Sequence, residues 1–354
     1  MSAPAVAAAS APDSKVDFKA LLGVVAQGKA LTQAQAEAAF GAIMTGEVTP
    51  AQIGGFLMAL RVRGETVEEI TAAVKVMREK MVRIAAPANA IDVCGTGGDH
   101  SGTLNISTPV ALICAACGVK VAKHGNRAAS SKSGAADVLA ALGLNIEADT
   151  ATIEKALNGV GTCFLWAQKH HSAMRHVGPT RAELGTRTIF NLMGPMSNPA
   201  GVKRQLLGVF SGDWLEPMAQ VLKNLGTEYA WLVHGSDGLD EITTTGPTKV
   251  VELRHGAIRT FTLAPEDFGI DRTEGEMLKG GDATQNAQAI RELFEGVKGP
   301  YRDIVLLNSA AALVIAERAS DVPAGIAMAA DAIDTGKAKA TLADLVRVTN
   351  TAKA

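Results

Sequence analysis

Four glycines and very little bulk lie within the stretch VCGTGGDHSGTLNIST, residues 93–108. It leads from an apolar run into an apolar helical pattern. Unpaired N–H groups and the positive end of a helix dipole would then face an approaching anion. Gly95, Gly97 and Gly98 clear side chains from its path, and the hydroxyls of Thr103, Ser107 and Thr108 add donors. The Gly-Lys-Ser/Thr ending of a Walker loop is absent, and the spacing is not that of a dinucleotide fingerprint. A phosphate site and a tight structural turn both satisfy this pattern.

Three more segments hold reactive side chains. KHGNRAASSKSG places Lys123, His124, Asn126, Arg127, Ser130, Ser131 and Lys132 within ten residues, after a β-like run and before a helical one. Two such loops at neighbouring strand ends would converge on the crevice where open α/β sheets bind ligands. Alone, the second loop also reads as a solvated basic turn. HGSDGLDEITTTG sets Asp237, Asp240 and Glu241 at another strand end. Such carboxylates suit Mg²⁺, which takes one or two of them plus substrate phosphates, and equally suit a hydrophilic turn. His170, His171, Arg175, His176, Arg181 and Arg187 cluster in a fourth segment. No zinc-helix spacing occurs there, and the arginine forks suit a carboxylate.

The ordered motifs GTGGD, NIST, KHGNRAASSKSGAADVLAALG, RTIFNLMGPMSNPA and DGLDE resemble the anthranilate phosphoribosyltransferases, from about Leu21 to Val346. The resemblance implies transfer of the 5-phosphoribosyl group of phosphoribosyl pyrophosphate (PRPP) to the amino group of anthranilate, with release of pyrophosphate. It places Gly95, Gly97, Gly98, Asp99, Thr103, Asn105, Ser107, Thr108, Lys123, Asn126 and Ser131 around PRPP. It places Gly95, His124, Asn126, His171, Arg181 and Pro195 along the anthranilate path, with Arg181 on the carboxylate. Ser107, Asp240 and Glu241 would hold one or two Mg²⁺ ions. Arg181 and Asn126 act by positioning, and no residue is named as general base. The same fold serves pyrimidine nucleoside phosphorylases and non-catalytic nucleic-acid-binding relatives. The intact DGLDE speaks against the first, and a net charge of −2 against the second. The resemblance also implies a cytoplasmic homodimer joined through its helical domain.

These residues need a frame. Residues 17–88 read as helices alone, with Thr32, Thr49 and Thr66 as N-caps. From Ile91 onward, β-like runs alternate with helices: IDVCG, VKVAKHG, GTCFLWA, RQLLGVF, EYAWLVHG, KVVELRHG and DIVLLNSA. Thr108 reads as the N-cap, and Pro109 as the first residue, of the helix after the glycine loop. The expected fold is a small all-helical domain plus a large α/β domain, with a mixed, mostly parallel sheet flanked by helices. Residues 89–168 and 194–354 would form the α/β domain, and an inserted segment of about 169–193 would return to the helical one. Residues 1–16 read as a flexible tail without signal-peptide features. Composition, 47% hydrophobic and 20% charged, is that of a soluble globular protein, and no apolar run is long enough to span a membrane. Four cysteines are too few for a disulfide framework and fit a reducing, intracellular setting. Cys114 and Cys117 form a CxxC that reads as buried core thiols rather than a redox or zinc pair.

Overall fold

The computed structural model describes residues 16–99, 101–127 and 132–351. The chain opens with helices α1 (Phe18–Ala26), α2 (Gln33–Thr45), α3 (Pro50–Arg63) and α4 (Val67–Lys80). Thr32, Thr49 and Thr66 each cap a helix, accepting the N–H of Gln35, Gln52 and Glu69 in reciprocal capping boxes. Fully buried Glu69 ties these helices together, pairing with Arg63 and accepting the Leu31 N–H (2.9 Å).

The alternating part runs β1 (Ile91–Gly95), α5 (Ser107–Ala116), β2 (Val121–Gly125), α6 (Ala135–Ala141), α7 (Thr150–Gly159) and β3 (Thr162–Trp166). Short helices α8 (Ala167–His170), α9 (Gly178–Leu184) and α10 (Ile189–Met193) follow. Then come β4 (Arg204–Gly208), α11 (Leu215–Asn224), β5 (Tyr229–Gly235), β6 (Thr248–Arg254) and β7 (Ala257–Leu263). Helices α12 (Ala283–Phe294), α13 (Pro300–Ile315), α14 (Val322–Asp334) and α15 (Lys337–Asn350) close the chain. The strand order is β3-β2-β1-β4-β5-β6-β7; the first five strands in this order are parallel and the last two antiparallel. Strand order reverses between β1 and β4, which puts a ligand crevice at their C-terminal ends.

Two expectations need correction. DIVLLNSA is not a strand but the middle of α13, which starts at Pro300 and is buried on nearly all sides. A helix buried all round has no polar stripe, so a short window of it imitates a buried strand. The strand missed instead is β7, an edge strand whose Arg259, Thr260 and Thr262 are exposed. It is joined to β6 by the two-residue turn His255-Gly256, with both φ positive (48° and 81°), as a tight hairpin requires. A smaller correction concerns α5. It begins at Ser107 after Ile106, so Thr108 and Pro109 fill its second and third positions and no side chain caps it.

The sheet is a wall between two cores. On β5, Tyr229, Trp231 and Val233 pack with α5 and α12–α15, while Ala230 and Leu232 pack with α11 and the N-terminal helices. Val177, Ile189, Phe190 and Met193 of the inserted segment join that second core, with Phe190 edge-on to Phe40 at 6.1 Å. Cys114 and Cys117 are free thiols, one buried and one half-buried, and burial pushes both above the usual thiol range. Their Sγ atoms meet the Ser309 carbonyl of α13 and the Met328 carbonyl of α14, so both pack where α5 lies against these helices. No helix among the described residues is long and apolar enough to cross a membrane.

Helices α13 and α14 touch through Gly325, where a Cβ would come within 2.7 Å of Ala310 Cα. Gly325→Val is therefore expected to cost about 1–3 kcal/mol, seen as a lowered Tm by calorimetry. An unchanged Tm would show that this crossing is not close-packed.

Candidate active site

The glycines of β1 and β4 make room for one acidic residue. A Cβ at position 208 would fall on the carbonyl oxygen of Asp240, and one at position 95 on its carboxylate. The loop after β5 thus presses its backbone against the ends of both strands. Gly97 and Gly98 have φ of 68° and 71°, which turns the Gly97 N–H onto Asp240 Oδ2 (2.7 Å). Thr96 is clamped as well: its N–H donates to the Gly208 carbonyl (2.9 Å), and its hydroxyl accepts the Phe210 N–H (3.0 Å).

Burial pushes the Asp240 carboxyl well above its usual range, and the charges of Asp99 and Glu241 push it further. Glu241 rises to about 7, first through burial; Lys123 and the Ser107 N–H pull it back and Asp99 opposes them. Lys123 is itself buried and held down by desolvation, with Nζ donating to the Val93 carbonyl (2.7 Å) and Ser107 Oγ (3.0 Å). Asp99 also organises the loop that carries it. Its carboxylate accepts the Ser101 hydroxyl (2.8 Å) and N–H (3.2 Å), and Ser101 in turn meets the Thr103 hydroxyl (3.3 Å). Crowded carboxylates with oxygen-only donors suit a hard divalent cation. Among the described residues no three His, Cys, Asp or Glu side chains form a ready metal cage. The donor set therefore fits Mg²⁺ that completes its shell with the oxygens of an anionic ligand.

Some predicted residues meet and others do not. His124 and His171 join the end of β2 to the turn after α8, their Nε2 atoms 3.2 Å apart. Burial holds both well down, His171 at about 4, so the pair is neutral and one nitrogen donates to the other. Pro195 is buried, and its carbonyl accepts Gln205 Nε2 (2.8 Å). Arg181 lies on α9 with its guanidinium over the Phe190 ring (5.3 Å), and no acidic partner pairs with it among the described residues. Burial alone lowers its pKa. Asn126 is exposed, its side chain accepting the Arg127 N–H (2.9 Å). Thr108 is buried with no partner for its hydroxyl among the described residues. Ser130 and Ser131 lie outside the described residues, as does His100.

Several residues that hold the site escaped the sequence reading. Asn286 Nδ2 donates to the Asn105 side-chain oxygen (2.9 Å), and the Tyr301 hydroxyl donates to the Asn105 carbonyl (2.6 Å). The Gly280 N–H donates to the Gly102 carbonyl and the Leu104 N–H to the Leu278 carbonyl (both 2.9 Å), so the segment before α12 runs along the glycine loop. Asn308, on α13, accepts the Ile242 N–H (2.9 Å) and donates to the Ile242 carbonyl (2.8 Å), fixing the chain just after Glu241. The only signal in the sequence was polar residues inside otherwise apolar or glycine-rich runs, GGDATQNA and DIVLLNSA.

Comparison with known proteins agrees with this architecture. Residues 19–81 match the model of the glycosyl transferase family helical bundle domain, and residues 87–339 that of the glycosyl transferase family a/b domain. An anthranilate phosphoribosyltransferase of Rhodospirillum rubrum is 62% identical, covering 95% of this chain and 97% of its own length. Among solved structures, the anthranilate phosphoribosyltransferase of Thermus thermophilus aligns with a TM-score of 0.89 and 42% identity, over 94% of this chain and 99% of that one. The Saccharomyces cerevisiae enzyme in complex with PRPP and Mg aligns with a TM-score of 0.85 and 27% identity, over 94% and 98%.

The histidine pair makes the fold acid-sensitive. Below the ordinary pKa of 6.5 the unfolded chain protonates His171, whereas the native chain resists protonation down to about 4. The contribution is thus whole above pH 6.5 and is lost as pH falls towards 4. His171→Gln should remove about 3 kcal/mol of that pH dependence, seen as a flatter plot of Tm against pH across the acidic range. Parallel plots for the two proteins would refute the assignment.

Proposed function

The chain belongs to the anthranilate phosphoribosyltransferases, within the glycosyl transferase family of helical bundle plus a/b domain, and from that premise we propose how its own residues carry the reaction. The reaction is transfer of the 5-phosphoribosyl group from PRPP to the amino nitrogen of anthranilate, giving N-(5-phosphoribosyl)anthranilate and pyrophosphate. The observation that carries the reading is the meeting of Asp99, Asp240 and Glu241 beside a loop whose glycines leave the backbone bare.

In this reading Gly95, Gly97, Gly98, Thr103, Asn105, Ser107, Thr108, Lys123, Asn126 and Ser131 surround PRPP, with Asp99 ordering the loop. Ser107, Asp240 and Glu241 hold one or two Mg²⁺ ions. When bound, the ion supplies positive charge to the pyrophosphate as its bond to C1 lengthens. Buried Lys123 adds a fixed cation, and the glycine loop adds N–H donors that need no reorganisation as the leaving group gains charge. The C1–O bond to pyrophosphate breaks with its electron pair leaving on the pyrophosphate, the amine lone pair forms the C1–N bond, and the nitrogen then loses its extra proton to water. An aromatic amine is unprotonated at neutral pH, so attack needs no prior deprotonation. The neutral histidine pair, Asn126 and Pro195 line the acceptor's path. Arg181, a partly buried guanidinium without an acidic partner among the described residues, takes the anthranilate carboxylate. The assembly we propose is a homodimer joined through the helical bundle, where Val62 of α3 is 82% exposed.

The direct test is anthranilate fluorescence. It should decay only when PRPP and Mg²⁺ are both present, and no decay under those conditions would overturn the reading. A second test separates the substrates. Removing one partner of a buried charge pair costs a factor of roughly 30 or more, so Arg181→Ala should raise KM for anthranilate by that much and leave KM for PRPP nearly unchanged. Equal rises in both would remove Arg181 from the acceptor site.

A further inference from the structure

Strands β1 and β2 abandon their ladder after one bridge. Ile91 pairs with Val121, the Ile91 N–H donating to the Lys120 carbonyl (2.9 Å). By contrast, β1 pairs with β4 and β2 with β3 along all five residues of each. In a parallel ladder the next bridge, Val93 with Lys123, would set the Val93 N–H on the Ala122 carbonyl and the His124 N–H on the Val93 carbonyl. Side chains take three of those four groups. Asp92 Oδ1 accepts the His124 N–H (3.0 Å), Lys123 Nζ donates to the Val93 carbonyl (2.7 Å), and Asn198 Nδ2 donates to the Ala122 carbonyl (2.8 Å).

This substitution happens in the interior. Asp92 is 0% exposed, and Lys123 and Asn198 are 3% exposed. A buried backbone group left without a partner is costly, so the open geometry persists because these side chains stand in for the missing ladder. Asn198 is itself fixed, its side-chain oxygen accepting the Ala200 N–H (2.8 Å). The opening lies at the C-terminal ends of the two strands, directly beneath the glycine loop on one side and Lys123–Asn126 on the other.

We propose that Asp92 and Asn198 are positioning residues that prop β1 and β2 apart and so set the gap between the two substrate loops. The inference rests on the reading in which the glycine loop holds PRPP and the β2 loop faces both substrates. Neither residue touches substrate in that reading. Without the Asp92 oxygen, the His124 N–H loses its partner, since Lys123 Nζ already holds the Val93 carbonyl, and the end of β2 is no longer fixed at this spacing. Lys123 and His124 then shift relative to the glycine loop, and a misplacement of about 1 Å costs on the order of 100-fold in rate.

The test compares Asp92→Ala, Asp92→Asn and Asn198→Ala with the wild type, well below their Tm values and per folded molecule. Asp92→Ala and Asn198→Ala should lose roughly 100-fold in kcat. KM for PRPP should rise far less than kcat falls, because only its contacts from β2 shift while the glycine loop and Asp240 are untouched. Asp92→Asn keeps an oxygen for the His124 N–H and should restore kcat to near the wild-type value. A merely loosened fold would lower the folded fraction without this split or this rescue. Unchanged kcat in both alanine variants, or equal damage in Asp92→Asn and Asp92→Ala, would overturn the proposal. Should Asp92→Ala fail to fold, Asn198→Ala answers the same question from the other strand carbonyl. Amide exchange at His124, slow in the wild type and in Asp92→Asn but fast in Asp92→Ala, tests the wedge without any assay. A wild type inactive with anthranilate and PRPP would sink the functional reading instead, and the exchange result would still judge the wedge.

Discussion

The site depends on the close approach of Asp240 to the ends of β1 and β4, beside the carboxylates of Asp99 and Glu241. Asp240 reaches the ends of β1 and β4 only because positions 95 and 208 lack a Cβ. Once there, it faces Asp99 and Glu241; burial first, and then the charge of Asp99, raises the carboxyls of Asp240 and Glu241. Such an arrangement is unfavourable for the protein alone and favourable once positive charge arrives. Much of the surrounding structure serves to keep it from relaxing. Asn308 holds Ile242 from α13, and the strip from Leu278 to Gly280 lies against the glycine loop. Lys123 brings a buried cation to Ser107, whose N–H reaches Glu241. Fixed donors and charges of this kind stabilise a developing anion without reorganising during the reaction.

The sheet gives that cluster its address. Strand order reverses at the boundary of β1 and β4, so the loops leaving these strands diverge to opposite faces and leave a crevice between them. Each face carries its own core, which fixes the wall from both sides. The inserted segment packs its apolar residues with the N-terminal helices, yet its His171 reaches His124 at the end of β2. The end of β2 and the inserted segment therefore belong to different packing units and meet at one edge of the sheet.

Within that edge, β1 and β2 are not an ordinary strand pair. Polar side chains take the place of ladder bonds where the two loops depart, and the same Lys123 that closes one of those gaps also donates to Ser107 of the glycine loop. Sheet geometry and site electrostatics are thus built from shared residues.

What could be read along the chain was whatever rests on local chemistry. The helix caps at Thr32, Thr49 and Thr66 involve partners three residues away, six of the seven strands are short apolar runs, and the GTGGD, KHGN and DGLDE loops gather their polar and glycine residues in adjacent positions. Where local pattern was ambiguous it misled: a helix buried all round read as a strand, and an exposed edge strand had no apolar run to announce it. The braces were beyond reach because their partners are distant. Asn286 bonds to Asn105 across 181 residues, and Asn308 to Ile242 across 66. Sequence alone determined which loops hold the residue types for the proposed chemistry, since residue type and short spacing decide that. Only the tertiary structure decided how closely those loops stand, because clearance at Gly208 and the wedge of Asp92, Lys123 and Asn198 exist only once the strands lie side by side.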